Sequence, residues 1–294
     1  EHHGIPFLSS TMAKGMIDED HPMNAGCIER GRRQIQRKFI QSADLVIGLG
    51  FDTIEVEYEA WVGNTPVLSI DIEDPDIALS VNLVGTVTGN ITASLEYFLN
   101  QPKEQNTWTE KELLEHMSEF NTALRPPSKS FTPHRAIDIV RETLPKNGIV
   151  SYDVGAHTHQ IASQWKAHSP KTCHVTNGWS SMGIGLPGAI AAKIARPDLP
   201  VVCLIGDGCF QMTVGELATA RRQGLAIPVV VLDDRWLSLI QIKQEKRQYA
   251  QYGSQVEIDH YDVPPAHYFG VPAIGVRDES ELKDALEKAL KADG

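Results

Sequence analysis

The sequence predicts an α/β protein made of two parallel-sheet, three-layer domains. Three observations carry this reading. Short apolar runs without polar alternation recur along the chain, helix-permissive stretches separate them, and a proline-containing polar break interrupts the pattern at residues 125–130. Apolar runs of roughly four to eight residues read as strands covered on both faces, the mark of parallel sheet. The 294 residues suffice for two ordinary domains, each with its own core.

Gly4-Ile5-Pro6-Phe7-Leu8 opens the chain as a strand that reads as already mid-sheet. Residues 23–41 are polar and helix-permissive, and the runs at 43–50 and 66–72 are the next strands, a Rossmann-like strand–helix–strand order. Gly48-Leu49-Gly50 supplies two glycines of a dinucleotide fingerprint and no third, which weakens a dinucleotide-binding reading. A polar helix is expected over 103–124, followed by the linker Arg125-Pro126-Pro127-Ser128-Lys129-Ser130. This gives an incomplete central Rossmann-like domain over 1–125 and a second domain over 131–294. The second begins with a helix at 134–144 and has strands at 148–153, 201–205 and 228–232. Alanine- and glycine-rich helices fall at 188–195 and 214–223. A last helix at 279–291 ends the chain where the alternation asks for one more strand, so truncation at both ends is expected.

Composition narrows the function classes. A formal net charge of −11 offers no broad basic surface for nucleic acid, and Glu29-Arg30-Gly31-Arg32-Arg33 reads as a solvated helix face. An anionic cofactor stays possible, because backbone N–H groups at helix N-termini bind phosphates. Four cysteines without a CxxC spacing argue against zinc or a disulfide framework and fit a reducing compartment. Cys203, inside the run 201–205, reads as a core residue. No segment approaches the roughly 18 apolar residues of a membrane span, and no signal peptide is evident, so a cytoplasmic location is expected.

The chemistry concentrates at Gly206-Asp207-Gly208, directly after the run 201–205, and at Asp233-Asp234, after the run 228–232. Asp207 and Asp234 stand 27 residues apart. That length suits one strand–helix–strand crossover, which brings both acids to the C-terminal ends of neighbouring parallel strands, where open α/β sheets bind ligands. Mg²⁺ takes one or two carboxylates together with phosphate oxygens and water. Gly206 and Gly208 would let backbone approach a diphosphate without a Cβ in the way.

These residues resemble the thiamine-diphosphate-dependent decarboxylases and acetolactate synthases, whose signature is Gly-Asp-Gly followed at similar distance by Asn-Asn. The resemblance extends to the segment from Thr176-Asn177-Gly178-Trp179 to Pro187, similar to the family's aminopyrimidine-side segment, and to Gly155-Ala156-His157, similar to its diphosphate-side loop. Residues 43–52, Gly4-Ile5-Pro6 and Met12-Ala13-Lys14-Gly15 are similar to the family's central domain. Asp233-Asp234 departs from Asn-Asn: an acid at 234 keeps an oxygen ligand and adds a negative charge. That acid, Gln244-Glu245-Lys246-Arg247 and Glu55-Val56-Glu57-Tyr58-Glu59 resemble the FAD-independent branch. The resemblance therefore implies thiamine diphosphate and Mg²⁺, and no FAD.

It also implies roles. Asp207 and Asp234 would ligate Mg²⁺, with the Trp236 carbonyl as third ligand. Gly155, Ala156, His157, Gly206, Gly208, Cys209 and Leu237 would line the cofactor. Ser180, Ser181 and Met182 would take the aminopyrimidine side, and Met212 would wedge the bent cofactor. Lys243 and Gln244 would face substrate, with surface exposure an open alternative. The family's activating glutamate lies on an N-terminal pyrimidine-binding domain that no stretch here resembles. A domain or subunit partner, a homodimer or homotetramer, a 2-oxo acid substrate and inactivity of the isolated chain are thus implied. Three readings stay open: acetolactate synthase, simple 2-oxo acid decarboxylase or lyase, and a non-catalytic cofactor-binding fragment.

Overall fold

A computed structural model describes residues 2–56, 61–103, 108–256 and 263–294. The chain divides into two compact units, Glu1–Ala13 with Glu19–Leu124, and Lys14–Asp18 with Arg125–Gly294. Both are α/β with parallel sheets, the class that the apolar runs predict.

The first unit contains β1 (Phe7–Ser10), β2 (Asn24–Ile28), α1 (Arg33–Ile40), β3 (Val46–Leu49), β4 (Val67–Asp71), β5 (Leu83–Thr88), α2 (Ile91–Leu99) and α3 (Glu110–Leu124). Strands β1 and β2 pair in parallel, and β3-β4-β5 form a parallel three-stranded sheet. The helix expected over 23–41 is thus half strand. Asn24, Ala25 and Cys27 are buried, and pairing with β1 outweighs the polar flanks that suggested helix. The basic cluster at 29–33 lies in the turn entering α1, with Arg32 left-handed at φ 58, so only Arg33 is helical.

Helix α3 starts at Glu110 rather than near 103, because Thr109 and Glu112 form a reciprocal cap. The Thr109 N–H donates to Glu112 Oε2 at 2.9 Å and the Glu112 N–H to Thr109 Oγ1 at 3.2 Å. Residues 104–107, inside the predicted helix, lie outside the described residues, as do Glu57, Tyr58 and Glu59 of the family-like tract. Burial on both faces, expected of the predicted strands, fails at Leu49, and β5, which the apolar runs do not predict, is mostly exposed. An apolar run specifies the strand but not the neighbours that cover it. The core here centres on Ala25, Phe39 and Leu113. His116 stacks on Phe39 with centroids 4.1 Å apart, its Nε2 lying 3.0 Å from the Ala25 carbonyl.

The second unit contains α4 (Pro133–Thr143), β6 (Ile149–Tyr152), α5 (Ala156–Gln164), β7 (Cys173–His174), α6 (Gly185–Ala195), β8 (Val201–Gly206), α7 (Asp207–Thr213) and α8 (Glu216–Arg222). After these come β9 (Val229–Leu232), α9 (Ser238–Lys246), β10 (His267–Tyr268), β11 (Val271–Pro272) and α10 (Glu279–Ala289). The main sheet has the parallel order β7-β6-β8-β9. Strand β8 is buried throughout and alternates between two cores, as a strand's period of two requires. Val202 and Leu204 join Ile137, Tyr152, Ile161 and Trp165, while Val201, Cys203 and Ile205 join Leu186, Ala189 and Leu217. Helices therefore cover both faces. Cys203 is fully buried, and burial holds its thiol well above the usual range. Ser151 turns towards α6, donates to the Gly185 carbonyl at 2.8 Å and fills the space a Cβ on Gly188 would need.

Candidate active site at the sheet edge

The strand order creates a crevice. Adjacent strands β6 and β8 send their following segments to opposite faces: α5 joins the Trp165 core, whereas Cys209 and Leu217 join the other. Such a switch point is where open parallel sheets bind ligands. Gly206 pairs with Leu232 across β8 and β9, so Asp207 and Asp233-Asp234 leave neighbouring strand ends on the same edge.

Asp207 begins α7 and is buried. Its Oδ1 accepts the Gly208 N–H at 2.8 Å, while Oδ2 is enclosed and has no hydrogen-bond partner among the described residues. Burial, and then the charges of Asp234 and Asp233, push the carboxyl up to about 6, against the pull of the Gly208 N–H. A buried acid beside two more acids with an oxygen left open suits a cation, because a divalent ion would offset two of the three charges. Asp234 is exposed and organises its own turn, accepting the Trp236 N–H at 3.0 Å and the Ser238 hydroxyl. Arg235 between them is left-handed at φ 63, and Trp236 bridges to Gln255 in antiparallel fashion.

His157 sits in the first turn of α5, between the two strand ends. Its Nε2 is enclosed and has no partner among the described residues. Burial lowers its pKa to about 4, despite the opposing charges of Asp153 and Asp234, so the ring is neutral near pH 7. A neutral imidazole can present an N–H to a phosphate oxygen without charge. A Cβ on Gly155 would lie 2.8 Å from His157 Cε1, and one on Gly206 3.1 Å from it. A Cβ on Gly208 would meet Leu237 Cδ2 at 2.8 Å and Met182 Cε at 3.6 Å. Within the chain itself these glycines make room for the side chains of His157 and Leu237.

The structure thus brings together Gly155, His157, Gly206, Asp207, Gly208, Cys209, Leu237 and Met182, with the Asp234 charge within reach of Asp207 and His157. Ala156 opens α5 beside them. Cys209 is buried, its Sγ donating to the Val154 carbonyl at 3.0 Å. Burial and the nearby Asp153 push the thiol up to about 12, so it is a packed thiol and not a nucleophile. Ser180 and Ser181 are exposed on the loop before α6, with Ser180 left-handed at φ 48. Met212 is 60% exposed on α7. Lys243 is exposed. Gln244 spends its amide on its own surroundings, donating to the Tyr252 carbonyl at 2.9 Å and accepting from Ser254 at 3.0 Å.

Sequence reasoning missed Asp153. It ends β6 as Asp207 follows β8 and Asp233 follows β9, and this acid at each strand end was the available signal.

Comparison with known proteins agrees with this geometry. The family model for the thiamine pyrophosphate enzyme central domain matches residues 1–98, and that for the thiamine pyrophosphate enzyme C-terminal TPP binding domain matches 153–294. The chain is similar to a probable acetolactate synthase large subunit of Methanococcus aeolicus, 26% identical over 98% of this chain and 52% of the relative. It is 26% identical to the acetolactate synthase isozyme 2 large subunit of Escherichia coli strain K12, over 99% of this chain and 53% of the relative. It is 26% identical to the chloroplastic acetolactate synthase 1 of Oryza sativa subsp. japonica, over 99% of this chain and 48% of the relative. The chain spans about half the length of the curated relatives it matches.

Proposed function

The chain belongs to the thiamine pyrophosphate enzymes, carrying their central and C-terminal cofactor-binding domains, and from that premise we propose that it is part of an acetolactate-synthase-like enzyme that uses Mg²⁺. The observation that carries the metal is the enclosed, partnerless Oδ2 of Asp207 beside Asp234 at the switch point. Asp207 and Asp234 would hold the ion, with the Trp236 carbonyl as a further ligand. The neutral His157 and the backbone of Gly155, Ala156, Gly208 and Cys209 would hold the diphosphate. The loop of Ser180, Ser181 and Met182 would take the aminopyrimidine end, with Leu237 packing beside Gly208 and Met212 as an apolar wedge.

When bound, thiamine diphosphate would supply a nucleophilic carbon for the keto carbon of a 2-oxo acid and a ring that takes up the electron pair left by loss of CO₂. The chain's own contribution is binding, orientation and charge balance. Asp207 and Asp234 would fix the cation, whose charge would hold the diphosphate. His157 would stand beside the diphosphate without adding charge, because burial keeps it neutral. We assign the proton-removing carboxylate to a pyrimidine-binding domain or partner subunit of a homodimer or homotetramer, in the cytoplasm. No helix among the described residues is long and apolar enough to cross a membrane.

Calorimetry tests the metal site: thiamine diphosphate should bind only with Mg²⁺ present, and Asp207→Ala should abolish that binding. Metal-independent binding of equal strength would reject it. Product analysis with pyruvate tests the reaction: acetolactate supports the synthase reading, and acetaldehyde alone would assign a simple decarboxylase. A flavin absorbance in the purified enzyme would overturn the expectation that FAD is not required.

A further inference from the structure

Asp153 is fully buried, 0% exposed, and the cofactor reading above gives it no part. Three backbone N–H groups donate to its carboxylate, which also lies within hydrogen-bond reach of the Cys209 thiol. Oδ1 takes the Val154 N–H at 2.7 Å, Oδ2 takes the Gly185 N–H at 2.8 Å, and the Gly183 N–H lies between them at 3.0 and 3.1 Å. Gly183 and Gly185 lie where the exposed loop of Ser180, Ser181 and Met182 enters α6. Met182 packs against the core of Leu186 and Leu217, while the loop before it stands open. Trp179 is 99% exposed, and Gly178 has open space where a Cβ would stand.

The fit around the carboxylate is close. Gly183 is left-handed at φ 97, and a Cβ on Gly185 would lie 2.7 Å from Ile205 and 3.0 Å from Asp153 itself. The backbone of Asp153 serves the opposite loop. Its carbonyl accepts the Thr158 hydroxyl at 2.5 Å, and the Thr158 oxygen accepts the Gly155 N–H at 2.8 Å. One residue at the end of β6 is therefore tied to both loops of the crevice, that of His157 and that of Met182. Hydrogen bonds to a charged acceptor are stronger than neutral ones, and leaving a buried carboxylate without donors is costly. The carboxylate thus holds Gly183 and Gly185 in place.

We propose that Asp153 is a positioning residue, whose carboxylate fixes the loop 180–185 opposite the His157–Asp207 crevice so that one thiamine diphosphate is gripped at its pyrimidine and diphosphate ends together. This rests on the cofactor reading above. Asp153→Asn keeps the shape but turns one oxygen into an NH₂ group. Either orientation of the amide then sets N–H against N–H, at Gly185 or at Val154.

The experiment uses the 294-residue chain and its Asp153→Asn variant. In the parent, hydrogen exchange should find the amides of Gly183 and Gly185 protected while 178–182 exchange freely. In the variant both amides should exchange about tenfold faster or more. Calorimetry with Mg²⁺ should show the Kd for thiamine diphosphate rising about tenfold or more, while that for inorganic diphosphate changes less than about threefold. A variant that merely unfolds would lose both ligands, and the parent's exchange pattern would then decide. Free exchange at Gly183 and Gly185 in the parent, unchanged affinity for thiamine diphosphate in the variant, or equal loss of both ligands by a folded variant would each overturn the proposal. A parent that binds no thiamine diphosphate would refute the cofactor reading instead, and the exchange data would still judge the anchoring of the loop.

Discussion

Asp207→Asn should make the metal-free protein more stable at neutral pH while destroying the cation site. The carboxyl sits at about 6 against an ordinary 3.8. A group whose pKa is raised by folding favours the fold below its unfolded value, and that contribution is lost as pH rises through the folded value. Here the window runs from 3.8 to about 6. Above it the ionised acid opposes folding. At about 1.4 kcal/mol per unit, the two-unit shift bounds the penalty near 3 kcal/mol, and screening at the open side of the crevice reduces it to about 1–2 kcal/mol. An asparagine NH₂ in place of Oδ2 would face the charges of Asp233 and Asp234, which favour a donor. For a domain the size of the second unit, this corresponds to a rise in Tm of about 3–6 °C. Calorimetric melts in EDTA should show that advantage at pH 8 and its disappearance near pH 4. Adding Mg²⁺ and thiamine diphosphate should raise the parent's Tm and leave the variant's unchanged. A variant that melts below the parent in EDTA at pH 8 would show that protein groups satisfy Asp207, and the charge argument for a cation would fail.

Four further outcomes follow from the same geometry. Burial lowers the pKa of His116, against the Ala25 hydrogen bond and the Glu119 charge, so stability from its neutral ring should be lost as pH falls below about 6.5; His116→Phe should flatten that loss in thermal melts between pH 7 and 5, and an unchanged slope would clear His116 of the role. Gly155→Ala would place a methyl 2.8 Å from His157 Cε1 and should cost about 1–3 kcal/mol of stability by denaturant titration. Asp234→Asn should weaken Mg²⁺-dependent cofactor binding far less than Asp207→Ala, since an amide oxygen still coordinates; equal losses in calorimetry would contradict the assignment. The 294-residue chain alone, with saturating thiamine diphosphate and Mg²⁺, should release no CO₂ from pyruvate, and turnover at a rate comparable to that of a chain extended by a pyrimidine-binding domain would place the activating base within it.

Strands β8 and β9 were legible as unbroken apolar runs, and β6 as a run interrupted only by Ser151, because a strand covered on both faces needs little else. The meeting of Asp207 and Asp234 on one edge was legible because chain length alone limits where a crossover can end. Strand β2 was hidden, because Asn24, Ala25 and Gly26 carry no β signal until β1 pairs with them. Strand β7, two residues long, is too short to leave a pattern. The place of Asp153 at a strand end was legible but its partners were not: its donors, Gly183 and Gly185, lie about thirty residues away and are backbone groups, which any sequence supplies. The glycines were half legible. Their presence pointed to crowding, but what crowds them is a matter of tertiary packing, and a single chain does not write that down.

The imidazole lodged between Gly155 and Gly206 ties three positions into one unit of mutational change. A methyl on Gly155 would force the ring to shift and one on Gly206 would press it, whereas shrinking the ring would empty the space both glycines leave. Effects at 155, 157 and 206 should therefore be far from additive, as they are for residues sharing one cavity. His157→Ala should mask most of the damage from Gly155→Ala or Gly206→Ala. Drift at this crevice would then move by paired steps, with the histidine leaving first. Any lineage that keeps the histidine keeps both glycines, however far the surrounding helices diverge.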